Sequence, residues 1–307
     1  MYKRILVPLD GSTLGGQTLP YVRVIGSALN CPVELIRIFE VDPYITPYVA
    51  YPTRVIFQEQ AKAAADHREE VMHSLEPISN TLSGAGLNVT ARVLEPHAPG
   101  SGPSSSITKE VATGPAHHII EEAEREADTL IVMCTHGRSG IGRWVLGSVA
   151  DKVLHAATNP LLLVRGQPEE SAPADASIDS IIVPWDGSGV AEQIWPHAVA
   201  LSQAFGVKVH LVNVIPEDRS HALEEDQLRR VGDRLVQDGA HSYDTSLVHG
   251  DPAQAIVDMT EQFPQSIVAM TTHGRSGVGR WVMGSVTDRV VRYAAGPVLV
   301  TRAQHHS

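Results

Sequence analysis

THGRSGIGRWVLGSVADKV at residues 135–153 returns as THGRSGVGRWVMGSVTDRV at residues 272–290. Fifteen of the nineteen positions are identical at an offset of 137, and the four exchanges, Ile141/Val278, Leu146/Met283, Ala150/Thr287 and Lys152/Arg289, are small or conservative. A repeat on this scale makes each half of the chain a similar folded unit before any element is assigned. Residues 5–12, ILVPLDGS, pair with residues 181–188, IIVPWDGS, at an offset of 176. The difference, 176 − 137 = 39, makes the first copy longer between its two motifs. Aligning Ile38 with Val214 and Leu94 with Val248 places about 22 extra residues near 42–60 and about 17 near 95–113.

A chain of 307 residues is comfortable as two domains, each large enough to bury a core. The polar, Pro-containing stretch from Gly166 to Pro173 reads as the connection. The expected division is 1–166, a linker over 167–178, and 179–303. With 43% hydrophobic and 19% charged residues the chain is neither disordered nor membrane-like in composition. A membrane is not expected as a partner, because no apolar run approaches the roughly 20 residues of a span. The start, Met1 to Val7, enters a strand-like segment without a signal-peptide pattern, so the expected location is the cytoplasm. Two cysteines, Cys31 and Cys134, cannot build a disulfide framework. A formal net charge of −11 argues against nucleic acid as a partner, so any anion site must be local.

Short apolar runs alternate with longer amphipathic stretches, the βαβ pattern of a parallel sheet covered by helices. In the second copy strands are expected near 180–185, 208–214, 243–248, 266–271 and 297–301, with helices near 190–205, 220–239, 252–263 and 284–294. The first copy repeats the order, with strands near 3–9, 33–40, 88–94, 129–134 and 161–165. The fold class is α/β, two tandem five-stranded Rossmann-like domains. In such sheets ligands lie beyond the carboxyl ends of the strands, at the point where strand order reverses. Asp10 and Asp186 end the first strand of each copy, and the repeated glycine segment follows the fourth.

Gly137 and Gly274 are each followed, after nine intervening residues, by a Gly-Ser pair, Gly147-Ser148 and Gly284-Ser285, that opens a helix. Glycine lets backbone N–H groups turn toward an anion, and a helix N-terminus adds unpaired donors and partial positive charge. Ser148 and Ser285 are expected to cap the helix and to donate to phosphate. Arg138, Arg143, Arg275 and Arg280 add positive charge. The plain alternative is a turn with an N-cap and no ligand. His136 and His273 are read either as general bases or as residues packed beside the loop and touching the ligand backbone. Asp10 and Asp186 are read either as turn residues or as acceptors for a ribose hydroxyl or an adenine edge. There is no Walker motif, and one carboxylate per site is a thin ligand set for a metal. His117-His118 and His305-His306 have no partner at metal spacing and are expected on the surface.

The motifs ILVPLDGS and IIVPWDGS, the THGRSG…GSV segments and the closing strands PLLLVR and PVLVTR resemble the universal stress protein family, UspA-like, in tandem two-domain form. The resemblance covers the chain apart from the linker and the two insertions. It implies a parallel sheet of order 3-2-1-4-5 in each half, an ATP or AMP site in many members with magnesium as an optional companion, and a role in stress response or regulation with little or no catalysis. The family's nucleotide pattern is Gly-x₂-Gly-x₉-Gly-(Ser/Thr). Its second and third glycines and its serine fall on Gly137, Gly147 and Ser148, then on Gly274, Gly284 and Ser285. Cys134 and Thr271 stand where the first glycine is expected. The resemblance further implies that Asp10 and Asp186 face the ribose or adenine, that Ile38 and Val214 contact adenine, and that Met133 and Met270 line the pocket. Val149 and Val286 complete the nucleotide set behind the serines. Family dimers join their last strands antiparallel across a two-fold axis, which 161–165 and 297–301 can do within this one chain. That makes the tandem its own pseudo-dimer and leaves homodimerisation and a protein partner open.

Both insertions follow carboxyl ends of strands and rise on the rim where a ligand enters. Residues 95–113 are rich in Pro, Gly and Ser, whereas 42–60 carries Tyr44, Tyr48 and Tyr51. They are read as a lid or partner surface over the first site, or as inert loops. The competing functions are a nucleotide-binding regulator, a nucleotide-free interaction module on the same fold, and a weak ATPase or nucleotidyl transferase.

Overall fold

The computed structural model describes residues 1–39, 54–95, 114–135, 146–167, 175–215, 221–273 and 283–303, with the side chains of 54–64 and 221–222 outside that description. The first half contributes β1 (Arg4–Pro8), α1 (Thr13–Gly16), α2 (Leu19–Leu29), β2 (Val33–Ile38), α3 (Arg54–Gly84), β3 (Val89–Leu94), α4 (Pro115–Glu124), β4 (Thr129–Cys134), α5 (Ser148–Ala156) and β5 (Leu161–Val164). The second contributes β6 (Ser180–Pro184), a 3₁₀ turn over Ala191–Ile194, α6 (Trp195–Phe205), β7 (Lys208–Ile215), α7 (His221–Gln237), β8 (Ser242–His249), α8 (Pro252–Gln262), β9 (Ser266–Thr271), α9 (Ser285–Tyr293) and β10 (Val298–Thr301). All ten strands form one sheet of order β3-β2-β1-β4-β5-β10-β9-β6-β7-β8. Each half therefore has the order 3-2-1-4-5.

The strand residues explain this placement. β4, TLIVMC, and β9, SIVAMT, are buried along their whole length, as strands covered on both faces must be. Alternate side chains feed two cores. Val7, Leu35, Leu130 and Val132 face α2 and α3, while Leu6, Ile36, Ile131 and Met133 face α4 and α5, and the second half repeats the division with α6 and α7 against α8 and α9. Pairing is parallel within each half and antiparallel only at β5 and β10. There Leu162 faces Leu299, its own equivalent in the repeat, with Leu163 opposite Val298 and Leu161 opposite Val300. The pseudo-two-fold axis passes through that central pair, as the closing strands led us to expect.

Three expectations need correction. Residues 54–60 are not a separate insertion, because they open the 31-residue helix α3, whereas the corresponding α7 has 17 residues. Lengthening a helix lets the first copy absorb extra chain without leaving backbone groups unpaired. Residues 42–53 and 96–113 lie outside the described residues. His118 is not a surface residue, being buried on the sheet-facing side of α4 beside the half-buried His117, while His305 and His306 lie outside the described residues. The single helix expected near 190–205 opens as a 3₁₀ turn before α6, and the first half likewise divides this stretch into α1 and α2.

Away from the sheet the halves touch through α2 and α6 and through the first residues of the chain. The Tyr2 hydroxyl lies 2.7 Å from His197 Nδ1, and their rings sit 5.5 Å apart. Burial pushes the Tyr2 phenol well up and lowers the His197 imidazole to about 4, so the tyrosine donates and the neutral histidine accepts. An unfolded histidine takes up its proton near pH 6.5, but the folded one resists until about pH 4. This contact is therefore at full strength above about pH 6.5 and loses stability as the pH falls toward 4. Urea unfolding at pH 7.5 and pH 5 is expected to show a pH-dependent loss smaller by about 2 kcal/mol in His197→Phe than in the parent chain.

Candidate functional site

The order of strands reverses between β1 and β4 in the first half and between β6 and β9 in the second, and the candidate residues collect at those carboxyl ends. Asp10 and Asp186 each fold the chain back on itself. The Asp10 Oδ1 accepts from Ser12 N at 2.9 Å and from Ser12 Oγ at 2.6 Å, and Ser12 Oγ in turn accepts from Gly15 N at 3.0 Å. Asp186 repeats this with Ser188 N at 3.0 Å and Ser188 Oγ at 2.6 Å, and Ser188 Oγ takes Ala191 N at 3.1 Å. The intervening glycines sit at positive φ, +79° at Gly11 and +82° at Gly187, a conformation that excludes most side chains. The turn role of both aspartates is therefore real, and it fixes each carboxylate at the rim.

Directly across the reversal point, the Gly147 N–H donates to the Thr135 carbonyl at 2.7 Å and the Gly284 N–H donates to the Thr272 carbonyl at 2.8 Å. These bonds tie the start of α5 to the end of β4 and the start of α9 to the end of β9. The caps differ from expectation. Gly147 and Gly284 are the N-cap residues, in extended conformation with φ near −62° and −61°, while Ser148 and Ser285 are the first helical residues and make no side-chain cap. A serine in the first turn has helical φ and ψ, so its hydroxyl is poorly placed to reach back to the N–H groups that need a partner. A glycine cap brings no side chain either. The first-turn N–H groups are thus left directed out of the helix end, where the partial positive charge favours an anion. A Cβ added at Gly284 would stand 3.0 Å from the Thr272 carbonyl oxygen, which accounts for glycine at that place.

Met133 and Cys134 end β4, and Met270 and Thr271 end β9, all four nearly inaccessible. Ile38, Val149, Val214 and Val286 are half-buried against the core on the α4–α5 and α8–α9 face, and form an apolar rim above it. Thr271 turns its hydroxyl onto the His273 carbonyl at 2.6 Å, and His273 Nδ1 lies 3.1 Å from Thr272 Oγ1. His136, Gly137 and Gly274, with Arg138, Arg143, Arg275 and Arg280, lie outside the described residues. Among the described residues no three His, Cys, Asp or Glu side chains gather as a metal cluster.

Several residues beyond the expected set shape the two sites. Thr287 Oγ1 donates to the Thr271 carbonyl at 3.0 Å, a tie that Ala150 cannot make in the first copy. Arg289 grips both oxygens of Asp251, the N-cap of α8, at 2.9 and 3.0 Å. The Gln254 N–H, with help from Arg289, holds that carboxyl below the usual range. Lys152 and Gly114 stand at the equivalent positions of the first copy. There Arg37 lies over the first turn instead, donating to the Asp10 carbonyl at 3.3 Å and to Ser74 Oγ of α3 at 2.5 Å, while its counterpart Asn213 donates to Glu224 at 3.2 Å. The exchanges Ala150/Thr287 and Lys152/Arg289 within the repeat signal part of this asymmetry, whereas Arg37/Asn213 and Gly114/Asp251 lie outside it.

Two doubly wound halves with a glycine-capped helix at each reversal point define a tandem α/β protein. The chain belongs to the universal stress protein family, whose model matches residues 1–165 and again 177–302. It is 23% identical over 313 residues to a universal stress protein of Mycolicibacterium smegmatis, covering 97% of this chain and 96% of that one. A universal stress protein of Synechocystis is 20% identical over 315 residues, 98% of this chain and 100% of the other. Among solved structures, a universal stress protein from Archaeoglobus fulgidus superposes with a TM-score of 0.68 at 20% identity, over 98% of this chain and 99% of that one, which shows a shared fold. No helix among the described residues is long and apolar enough to cross a membrane.

Because the Gly284 backbone sits against Thr272, Gly284→Val is expected to lower stability by about 1–3 kcal/mol in chemical denaturation, with the α9 N-terminus displaced. Asp186→Ala, which removes two bonds from the β6 turn, is expected to cost about 1–2 kcal/mol in the same measurement.

Proposed function

We propose that the chain is an adenine-nucleotide-binding regulator of the stress response, with one ATP or AMP site in each half and no catalytic step of its own. The observation that carries this reading is the paired geometry of Gly147 on Thr135 and Gly284 on Thr272, which holds a helix start with its first-turn N–H groups at the reversal point of both halves. Phosphate fits that environment, because backbone N–H groups and the helix dipole favour negative charge without a basic side chain. Adenine fits the apolar rim of Ile38 and Val149 in one half and of Val214 and Val286 in the other, with Asp10 and Asp186 as acceptors for the ribose. Met133 and Met270 form the pocket floor. When bound, the nucleotide supplies a regulatory charge and shape, and magnesium would be held chiefly by its own phosphates, since each site offers one carboxylate. The units in this reading are 1–166 and 179–303, joined by 167–178.

A second reading has its own support. The side chains of Cys134 and Thr271 fill the place where the family pattern has a glycine, which favours a nucleotide-free interaction module. Calorimetry with ATP, AMP and cyclic AMP separates the two. Heat on titration is expected, with Gly147→Val and Gly284→Val each removing one site's worth of binding while the other persists. No heat for any nucleotide, and none released on denaturing the purified protein, would leave the interaction module as the function.

A further inference from the structure

The two Gly-Ser turns are joined by a closed circuit of hydrogen bonds that crosses the seam between the halves twice. Beyond the Gly147 bond to the Thr135 carbonyl, the Thr135 N–H donates to the Val164 carbonyl at 2.9 Å and the Gly166 N–H reaches Thr135 Oγ1 at 3.4 Å. Arg165 lies between those two residues. Its Nη1 crosses to the other half and donates to the carbonyls of Tyr293 at 3.3 Å and Ala294 at 3.5 Å, the carboxyl end of α9. The opposite end of α9 is the Gly284-Ser285 turn.

The return path is its image. Gly284 bonds the Thr272 carbonyl, Thr272 N–H donates to the Thr301 carbonyl at 2.9 Å, and Ala303 N–H donates to Thr272 Oγ1 at 3.1 Å. Arg302, between them, donates through Nη1 to the Ala156 carbonyl at 3.3 Å, the carboxyl end of α5. That helix begins at Ser148, behind Gly147. Thr135 and Thr272, Arg165 and Arg302, and Ala156 and Tyr293 are equivalent positions of the repeat, all at the offset of 137.

Each helix has nine residues and so spans about 13 Å as a stiff rod. An anion that draws its N-terminus toward the rim moves the carbonyls at the far end, and the arginine on those carbonyls belongs to the strand end that holds the other turn. We propose that the two turns are thermodynamically coupled through Arg165 and Arg302, so that occupancy of one by an anion changes the affinity of the other. The identity of the anion rests on the nucleotide reading above, but the coupling does not.

Amide hydrogen exchange on the full chain tests it without ligand. Gly284→Ala crowds the Thr272 carbonyl, and Thr287→Ala, a milder change, removes the hydroxyl that bonds the same loop. Either is expected to alter exchange of the Gly147 N–H and of the last turn of α5 by about fivefold or more. Adding Arg165→Met and Arg302→Met is expected to abolish that transmission. In ATP titrations the coupling is a change of about fivefold or more in one site's affinity when the other is filled, and the same pair of arginine substitutions is expected to remove that change. A chain that binds no ATP yet transmits the perturbation supports the coupling and overturns the nucleotide reading alone. Unchanged exchange at Gly147 in both variants, while the Thr272 loop responds, overturns the coupling, whether or not ATP binds.

Discussion

The antiparallel pairing of β5 with β10 is the contact on which the rest of the molecule depends. Each half is a parallel sheet that would otherwise end in an unpaired, largely apolar four-residue strand, Leu161–Val164 or Val298–Thr301, with its backbone groups open to any other edge. Joining the two edges removes both at once and puts Leu162 and Leu299 in the middle of a continuous ten-stranded sheet. The pseudo-symmetry that follows dictates everything nearby. Both glycine-capped helices flank the seam, and the arginines after the last strands are carried across it.

Much of this was legible because parallel strands leave a plain signature. Runs such as Leu130–Cys134 and Ile267–Thr271 are apolar on both faces since helices cover both, so their extents could be read to within a residue or two. The repeat did the remainder, because two aligned copies show which residues open a strand and which open a helix. The strand ends that carry Asp10, Asp186, Met133 and Met270 were placed for the same reason.

Other features were hidden for physical reasons. The start of α3 was not visible because its alignment partner is shorter, and a helix can grow outward from a fold without changing the pattern of its buried face. The capping role shifted by one residue from Ser148 to Gly147 and from Ser285 to Gly284, because serine is the usual cap whenever its backbone is extended, and a sequence does not display φ and ψ. His118 looked superficial as one of a polar pair, yet in α4 it falls on the same side as Ile119 and Ala123, and the helix turns it inward. The differences between the sites lie in residues such as Thr287, Arg289 and Arg37, whose meaning depends on a neighbour distant in sequence.

The connection between the halves has a consequence beyond tethering. An assembly of two separate subunits comes apart on dilution and exchanges partners, and its stability is tied to its concentration. Here the β5–β10 seam forms within one molecule, so its closure is indifferent to how much of the protein a cell holds. Within the chain β5 meets β10 rather than a second β5. A change that suits only one half, such as a hydroxyl at Thr287 beside an alanine at Ala150, is never brought face to face with itself across the axis. The fused chain can thus carry two unlike sites at a fixed ratio of one to one, which a population of freely mixing subunits does not guarantee.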